Sequence, residues 1–276
     1  MHLYKYYPPK KHNFKAIAQK KIFFCYPSSL NDPNDTSITN IQAFPQFCRG
    51  LDVDNQKLKE SLDRHAICCF SKGSKADNCH LWTFYASNYE GFAVEYDENV
   101  LKDIAAVITG PLPLLDVDYR DNPLNLDADE TFAIAETFDI KHREQHSINQ
   151  CIEAYQKGDH RPIEELFKEL HLQKDRSVWE EEKECRLIVG NVILGNLNGA
   201  FRRFFQKVNN KGLLFTLPAN AIKSITIGYR TSDKSKRLLK KIASKLGVKL
   251  FQATPCVENC RWTVRLYDIS TKANKP

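Results

Sequence analysis

Long apolar runs are missing from this chain. No stretch approaches the roughly 20 apolar residues that a membrane-spanning helix needs, so no membrane span is expected. The opening MHLYKYYPPKKH lacks the apolar core of a secretory signal, which makes a cytoplasmic location the expectation. CxxC pairs are missing too. The nine cysteines, at 25, 48, 68, 69, 79, 151, 185, 256 and 260, are odd in number, and reduced thiols account for them most simply. Cys25 in IFFCY and Cys68 and Cys69 in AICCFS read as small hydrophobes. Cys79 beside His80, and Cys256 near Cys260, fall short of the four ligands of a structural zinc site, so no metal is expected. His142 and His146 are spaced i,i+4 on an expected helix, but Arg143 stands where the glutamate of an HExxH motif belongs. The GxxxxGK[ST], GxGxxG and GxSxG patterns are absent, which argues against P-loop NTPases, ordinary dinucleotide-fold dehydrogenases and α/β-hydrolases. There is no internal repeat and no low-complexity linker.

What is present is an ordinary globular composition, 42% hydrophobic and 27% charged over 276 residues. A chain of that length buries roughly three quarters of its unfolded surface. Its formal net charge of +6 is unevenly spread. Residues 1–200 carry 23 Lys+Arg against 31 Asp+Glu, whereas residues 201–276 carry 17 against 3. The basic part is expected to face phosphates, a nucleic acid or the acidic part of the same chain, with a plain solvated face as the alternative. It contains a helix expected to start at Ser232, with Lys234, Lys236, Arg237, Lys240, Lys241 and Lys245 beside an apolar stripe of Leu238, Leu239, Ile242 and Leu246.

Strands are predicted at Leu3–Tyr7, Lys21–Tyr26, Ala66–Ser71, Gly91–Tyr96, Leu114–Tyr119, Glu184–Val189, Leu213–Thr216, Ser224–Tyr229, Val248–Gln252 and Trp262–Tyr267. Helices are predicted from an Asn13 cap to Ala18, near Gln56–Asp63, over Leu81–Ala86, over 98–106, and through a polar insertion at about 128–173. Strands in runs and strands between helices together indicate a single α+β domain with mixed or antiparallel sheets, a helical insertion and a basic C-terminal part at 201–276.

Four constellations carry potential chemistry. In Trp179-Glu180-Glu181-Glu182-Lys183-Glu184-Cys185-Arg186, residues 182, 184 and 186 would share one face of an extended chain. Mutual repulsion would then raise one of the two carboxyl pKa values. A charge ladder at a strand entrance is the plainer account. In CHLWTFYASNYEG, Trp82 and Tyr85 lie i,i+3, as ligand-stacking rings or as a core stripe. In the first strand Tyr4 and Tyr6 share a face and Lys5 takes the other, where an outward lysine is the default. Ser71 ends a buried strand, and Asn31-Asp32-Pro33-Asn34-Asp35 is explained by Asx turns.

Taken in order, LYKYY, IFFCYPSSLNDPND, CCFS, LWTFYASNYEGFAVEYD and WEEEKECRLI resemble the bacterial domain-of-unknown-function (DUF) family 2971 over roughly residues 3–190. That family's pattern has histidines where this chain has Phe84 and Tyr89. The order of blocks is also similar to ADP-ribosyltransferase-like proteins. That resemblance implies an ADP-ribosyltransferase-like core and NAD as the nucleotide. It makes Glu184 the ribose-holding and Glu182 the acceptor-orienting carboxylate, with Tyr4, Lys5, Ser71, Trp82, Tyr85 and Arg186 around the nucleotide. The transferase pattern wants Arg or His on the first strand, where this chain offers Lys5. The implied function is an NAD-dependent ADP-ribosyltransferase acting on a macromolecule, an effector of toxin or defence type. An alternative is a non-catalytic nucleic-acid-binding module using Lys234, Arg237, Lys240 and Lys241. A third reading is a nuclease with Asp32, Asp35, Glu182 and Glu184 as metal ligands.

Overall fold

A computed structural model describes residues 2–30, 65–109, 114–121, 131–135, 143–159, 162, 166, 171–189, 204–209, 211–258 and 261–270. Strand β1 (His2–Tyr7) is read correctly from its alternation: Leu3 and Tyr7 enter one core, Tyr4 and Tyr6 another. Helix α1 (Lys11–Ala18) starts earlier than the Asn13 cap predicts, because Lys10 occupies the cap and the Asn13 side chain instead donates to Pro8 O at 2.9 Å. The chain continues through β2 (Lys21–Cys25), β3 (Ala66–Gly73), α2 (Cys79–Phe84), β4 (Phe92–Tyr96) and α3 (Glu98–Thr109). The predicted helix near 56–63 lies outside the described residues.

The Leu114–Tyr119 strand divides into β5 (Leu115–Asp116) and β6 (Asp118–Arg120). The insertion is not wholly helical. β7 (Thr131–Ala135) and β8 (Arg143–Ser147) pair antiparallel before α4 (Ile148–Gln156), which a Ser147/Gln150 capping box starts. TFAIA alternates with period two and favours a strand over the polar helix read there. His146 therefore sits on a strand opposite Phe132. His142 is outside the described residues. After β9 (Gln173–Asp175) and α5 (Arg176–Trp179), a 3-10 turn (Glu180–Glu182) leads into β10 (Glu184–Val189). β11 (Phe205–Val208), β12 (Gly212–Thr216), β13 (Ile222–Gly228), α6 (Asp233–Leu246), β14 (Lys249–Glu258) and β15 (Arg261–Asp268) complete the order.

The result is an α+β fold on a mixed, largely antiparallel sheet of 11 strands, ordered β11-β12-β2-β3-β1-β4-β13-β14-β15, with β10 beside β3 and β5 beside β10. The β13–β14 pair is parallel, joined by α6, as parallel neighbours require a crossover. Helices α1, α3 and α6 cover one sheet face through Phe14, Ile17, Leu101, Leu239 and Ile242. There Tyr7 and Phe14 stack on Phe92 with centroids 5.2 and 5.3 Å away. Helix α2 covers the other face through Leu81 and Trp82. On α6 the buried stripe is Leu239, Ile242 and Ala243; Leu238 is 40% exposed, one residue off the i, i+3, i+4 row.

β3 is the organising strand. Its one edge carries β10, and its other edge is shared: β1 pairs at Tyr4↔Ser71 and β2 at Cys25↔Ile67. Beyond Tyr4, β1 pairs only with β4. The sheet therefore splits between β1 and β2.

Candidate functional site

A cleft of ≈ 870 Å³ lies at this split, and Tyr4, Lys5, Ser71, Tyr85, Glu182 and Glu184 all line it. Lys5 is the residue that spans the gap, its Nζ donating to Cys69 O at 3.0 Å. Burial disfavours the Lys5 charge, yet its pKa is held above the ordinary value by neighbours that include Cys68, Cys69 and Glu184. The Cys68 and Cys69 thiols are themselves pushed up by burial and so stay neutral. The Glu184 carboxylate is the group that supports the ammonium.

Glu182 and Glu184 meet differently from the extended ladder that the sequence suggests. Glu182 ends the 3-10 turn, Lys183 takes a left-handed conformation at φ +46°, and Glu184 begins β10. The turn brings both carboxylates onto Lys174, whose Nζ lies 2.7 Å from Glu182 Oε2 and 2.8 Å from Glu184 Oε2. The same ammonium sits 4.7 Å from the centre of the Trp179 ring, a cation–π contact. Arg186 is wholly buried and donates from Nε to Glu184 Oε1 at 2.9 Å and from Nη2 to Oε2 at 3.2 Å. The Glu184 backbone N–H donates to the Tyr119 hydroxyl at 2.7 Å.

Carboxylate repulsion therefore does not set the Glu184 pKa. Burial works to raise it, but Arg186 and Lys174 outweigh that and bring it down to about 2. Both Glu184 oxygens are engaged. Glu182 is different: it is 3% exposed, and its Oε1 has no hydrogen-bond partner among the described residues. The Tyr85 phenol is pushed far up, first by burial and then by the Glu182 carboxylate it faces. It remains a neutral donor.

Trp82 and Arg186 do not line the cleft. Trp82 is fully buried, its indole N–H donating to Ala76 O at 2.9 Å, edge-on to Tyr6 and stacked on Tyr89 at 5.4 Å. The core-stripe account describes its placement. Of the two positions that depart from the family pattern, Tyr89 is buried in that stack, while Phe84 lines the cleft and is 68% exposed. Lys174 and Tyr119 escape sequence reasoning. Lys174 stands in a short polar QKD strand, which carries no periodic or motif signal. Only the nearness of Trp179 in sequence hints at an aromatic partner.

Asp32 and Asp35 lie outside the described residues. Among the described residues no three His, Cys, Asp or Glu side chains are grouped to hold a metal. Cys25, Cys68, Cys69, Cys79, Cys151, Cys185 and Cys256 are free thiols. No helix among the described residues is long and apolar enough to cross a membrane. Lys234, Arg237, Lys240 and Lys241 are all exposed on α6.

Residues 81–187 match the model of a family described as "Protein of unknown function (DUF2971)". The match supports the resemblance to DUF2971. It takes in the LWTFYASNYEGFAVEYD block and all but the last residue of WEEEKECRLI. Tyr85, Lys174, Glu182, Glu184 and Arg186 lie inside the DUF2971 span, and Tyr4, Lys5 and Ser71 outside it. No curated protein and no solved structure matches the chain.

Chemically, the arrangement offers one buried carboxylate oxygen with spare acceptor capacity, a neutral phenol beside it, and a second carboxylate locked by two cations. Lys10, Lys21 and Lys211 also line the cleft, so one cavity presents both signs of charge.

Proposed function

We propose that the cleft binds NAD as a substrate and that the protein is an ADP-ribosyltransferase-like enzyme. The observation that carries this reading is the convergence of Lys5, Ser71, Tyr85, Glu182 and Glu184 on one cleft at the sheet split. These residues come from separate elements, and the resemblance named them from sequence order alone. The cleft volume falls within the roughly 300–1,000 Å³ typical of ligand and cofactor sites. The unsatisfied Glu182 Oε1 fits a ribose hydroxyl, because a buried acceptor without a donor is costly until something donates to it.

Glu182 takes the ribose-holding role that the resemblance gives to Glu184. Glu184 is saturated by Arg186 and Lys174, so it holds Lys174 in place, and Lys174 in turn holds Glu182 Oε2. Glu182 accepts from the ribose through Oε1. Cleavage of the ribose–nicotinamide bond sends its electron pair to nicotinamide and leaves positive charge on the ribose. A fixed carboxylate stabilises that charge. The acceptor oxygen or nitrogen then bonds to the ribose and loses a proton. Tyr85 supplies a ring face and a hydroxyl beside Glu182. The lysines at Lys10, Lys21 and Lys211 face the pyrophosphate.

The test is chromatographic measurement of nicotinamide release from NAD, with protein and nucleic-acid acceptors supplied. Glu182→Gln is expected to lower the rate by about 10²–10³-fold, the loss usual for one electrostatic stabiliser. Wild-type protein that forms neither nicotinamide nor an ADP-ribosylated product would overturn the proposal.

A further inference from the structure

Lys223 of the basic C-terminal part pairs with Asp97 of the acidic body at 2.6 Å, but the basic side chains of α6 stand apart from it. Lys234, Arg237, Lys240, Lys241 and Lys245 are exposed along α6, and none pairs with a carboxylate among the described residues. A second basic segment joins them. The first 31 residues hold six lysines and no Asp or Glu. Helix α1, with exposed Lys11 and Lys15, packs against α6 on the same sheet face. Two neighbouring helices, from segments more than 200 residues apart, thus both carry exposed lysines. The start of α1 reaches the cleft. Lys10 and His12, at the start of α1, are both exposed and both line it, as does the exposed Phe84 ring.

We propose that this α1–α6 face binds a single-stranded nucleic acid and presents it to the cleft, which makes the strand the acceptor. Exposed lysines on two helices match a phosphate backbone, whose binding releases counterions. An exposed aromatic ring lining the cleft is a stacking platform for an unpaired base. A cleft in a sheet split admits one base but not a duplex unless a base is first flipped out. As a bound strand the inference stands on the surface alone; as an acceptor it rests on the reading of the cleft given above.

The experiment is fluorescence anisotropy with a labelled oligothymidylate longer than the roughly 4–16 nucleotides such grooves span, against a duplex of equal length and vesicles of phosphatidylserine. The single strand is expected to bind best, with log affinity falling linearly with log salt. The pair Lys240→Glu and Lys241→Glu should weaken binding at least about 10-fold and lower the salt slope by roughly one for each phosphate left without its lysine. The pair Lys11→Glu and Lys15→Glu should do the same. Phe84→Ala should weaken binding about 10-fold, as expected for removing one stacked base. Equal or tighter duplex binding, vesicle binding without strand binding, or salt-independent affinity would each overturn the inference. Strand binding without nicotinamide release sinks the reading of the cleft and leaves the strand surface standing. Release without strand binding does the reverse.

Discussion

Lys174 shows how much one side chain can hold. It bridges two carboxylates and lies on an indole face while 8% exposed. Lys174→Met would leave two buried carboxylates short of a counter-charge, and removing one partner of a buried ion pair typically costs about 3–5 kcal/mol. Urea unfolding should show that loss, with Glu182→Gln in the same background recovering part of it. Glu184 adds a pH signature. Its folded pKa, about 2, lies below the ordinary 4.5, so its contribution is complete above pH 4.5 and lost as pH falls through the folded value. The displacement corresponds to about 3 kcal/mol, and Glu184→Gln should erase that part of the acid limb. His171 acts at milder acidity. It is 1% exposed, and neither ring nitrogen has a hydrogen-bond partner among the described residues. Burial first, then His65 and Arg186, hold its pKa well below 6.5. The unfolded chain therefore takes up a proton near pH 6.5 that the folded chain refuses, and stability falls as pH drops below that point. Thermal melts of His171→Gln between neutral pH and pH 5 should show a flatter decline than wild type. An unchanged decline would remove His171 as its cause.

At the scale of elements, what the sequence makes legible is what depends on local pattern. β1, β3, β4 and β10 announce themselves by aromatic alternation or short apolar runs bounded by turns, and α6 by a serine cap and a 3.6-residue stripe. What stays hidden depends on chain geometry or distant partners. Ser87, Asn88 and Tyr89 all take positive φ, at +49°, +52° and +66°, and no residue type there signals three left-handed positions in succession. The site is legible in its membership and illegible in its wiring. The spacing of Glu182 and Glu184 brings them to notice, but the left-handed Lys183 and the arrival of Lys174 from another strand decide which oxygen is left unpaired. Gly91 tests how tightly these elements close. A Cβ there would run into the Tyr7 carbonyl oxygen, while the Gly91 carbonyl already accepts from Gly228 N at 3.0 Å and Thr231 Oγ1 at 2.8 Å. Gly91→Ala must push β1 away from the turn into β4, and overpacking of this kind costs about 1–3 kcal/mol. A lowered denaturant midpoint with an unchanged slope is the expected result.

For the whole molecule, the uneven charge is a physical load as well as a binding device. Residues 201–276 hold 17 Lys+Arg against 3 Asp+Glu, and folding lays α6 against α1, whose segment is also basic. Like charges are thereby brought closer than in the unfolded chain, which opposes folding through self-repulsion. Added salt screens exposed charges on the scale of a Debye length, about 10 Å at 0.1 M, and screens buried pairs much less. The Lys174–Glu182–Glu184–Arg186 network is buried and should keep its strength, whereas repulsion across the α1–α6 face should fade. Moderate salt should therefore raise the melting temperature of the free protein while weakening its hold on a nucleic-acid strand. The two responses have opposite signs but share one set of lysines. Replacing Lys240 and Lys241 with Gln should reduce both together: a smaller salt-induced rise in melting temperature and a shallower salt dependence of binding. Melting curves followed by circular dichroism across a salt series, paired with anisotropy titrations at the same concentrations, decide it. A melting temperature that falls with salt in wild-type protein would mean that exposed ion pairs outweigh the repulsion, and that the basic face carries no strain for a strand to relieve.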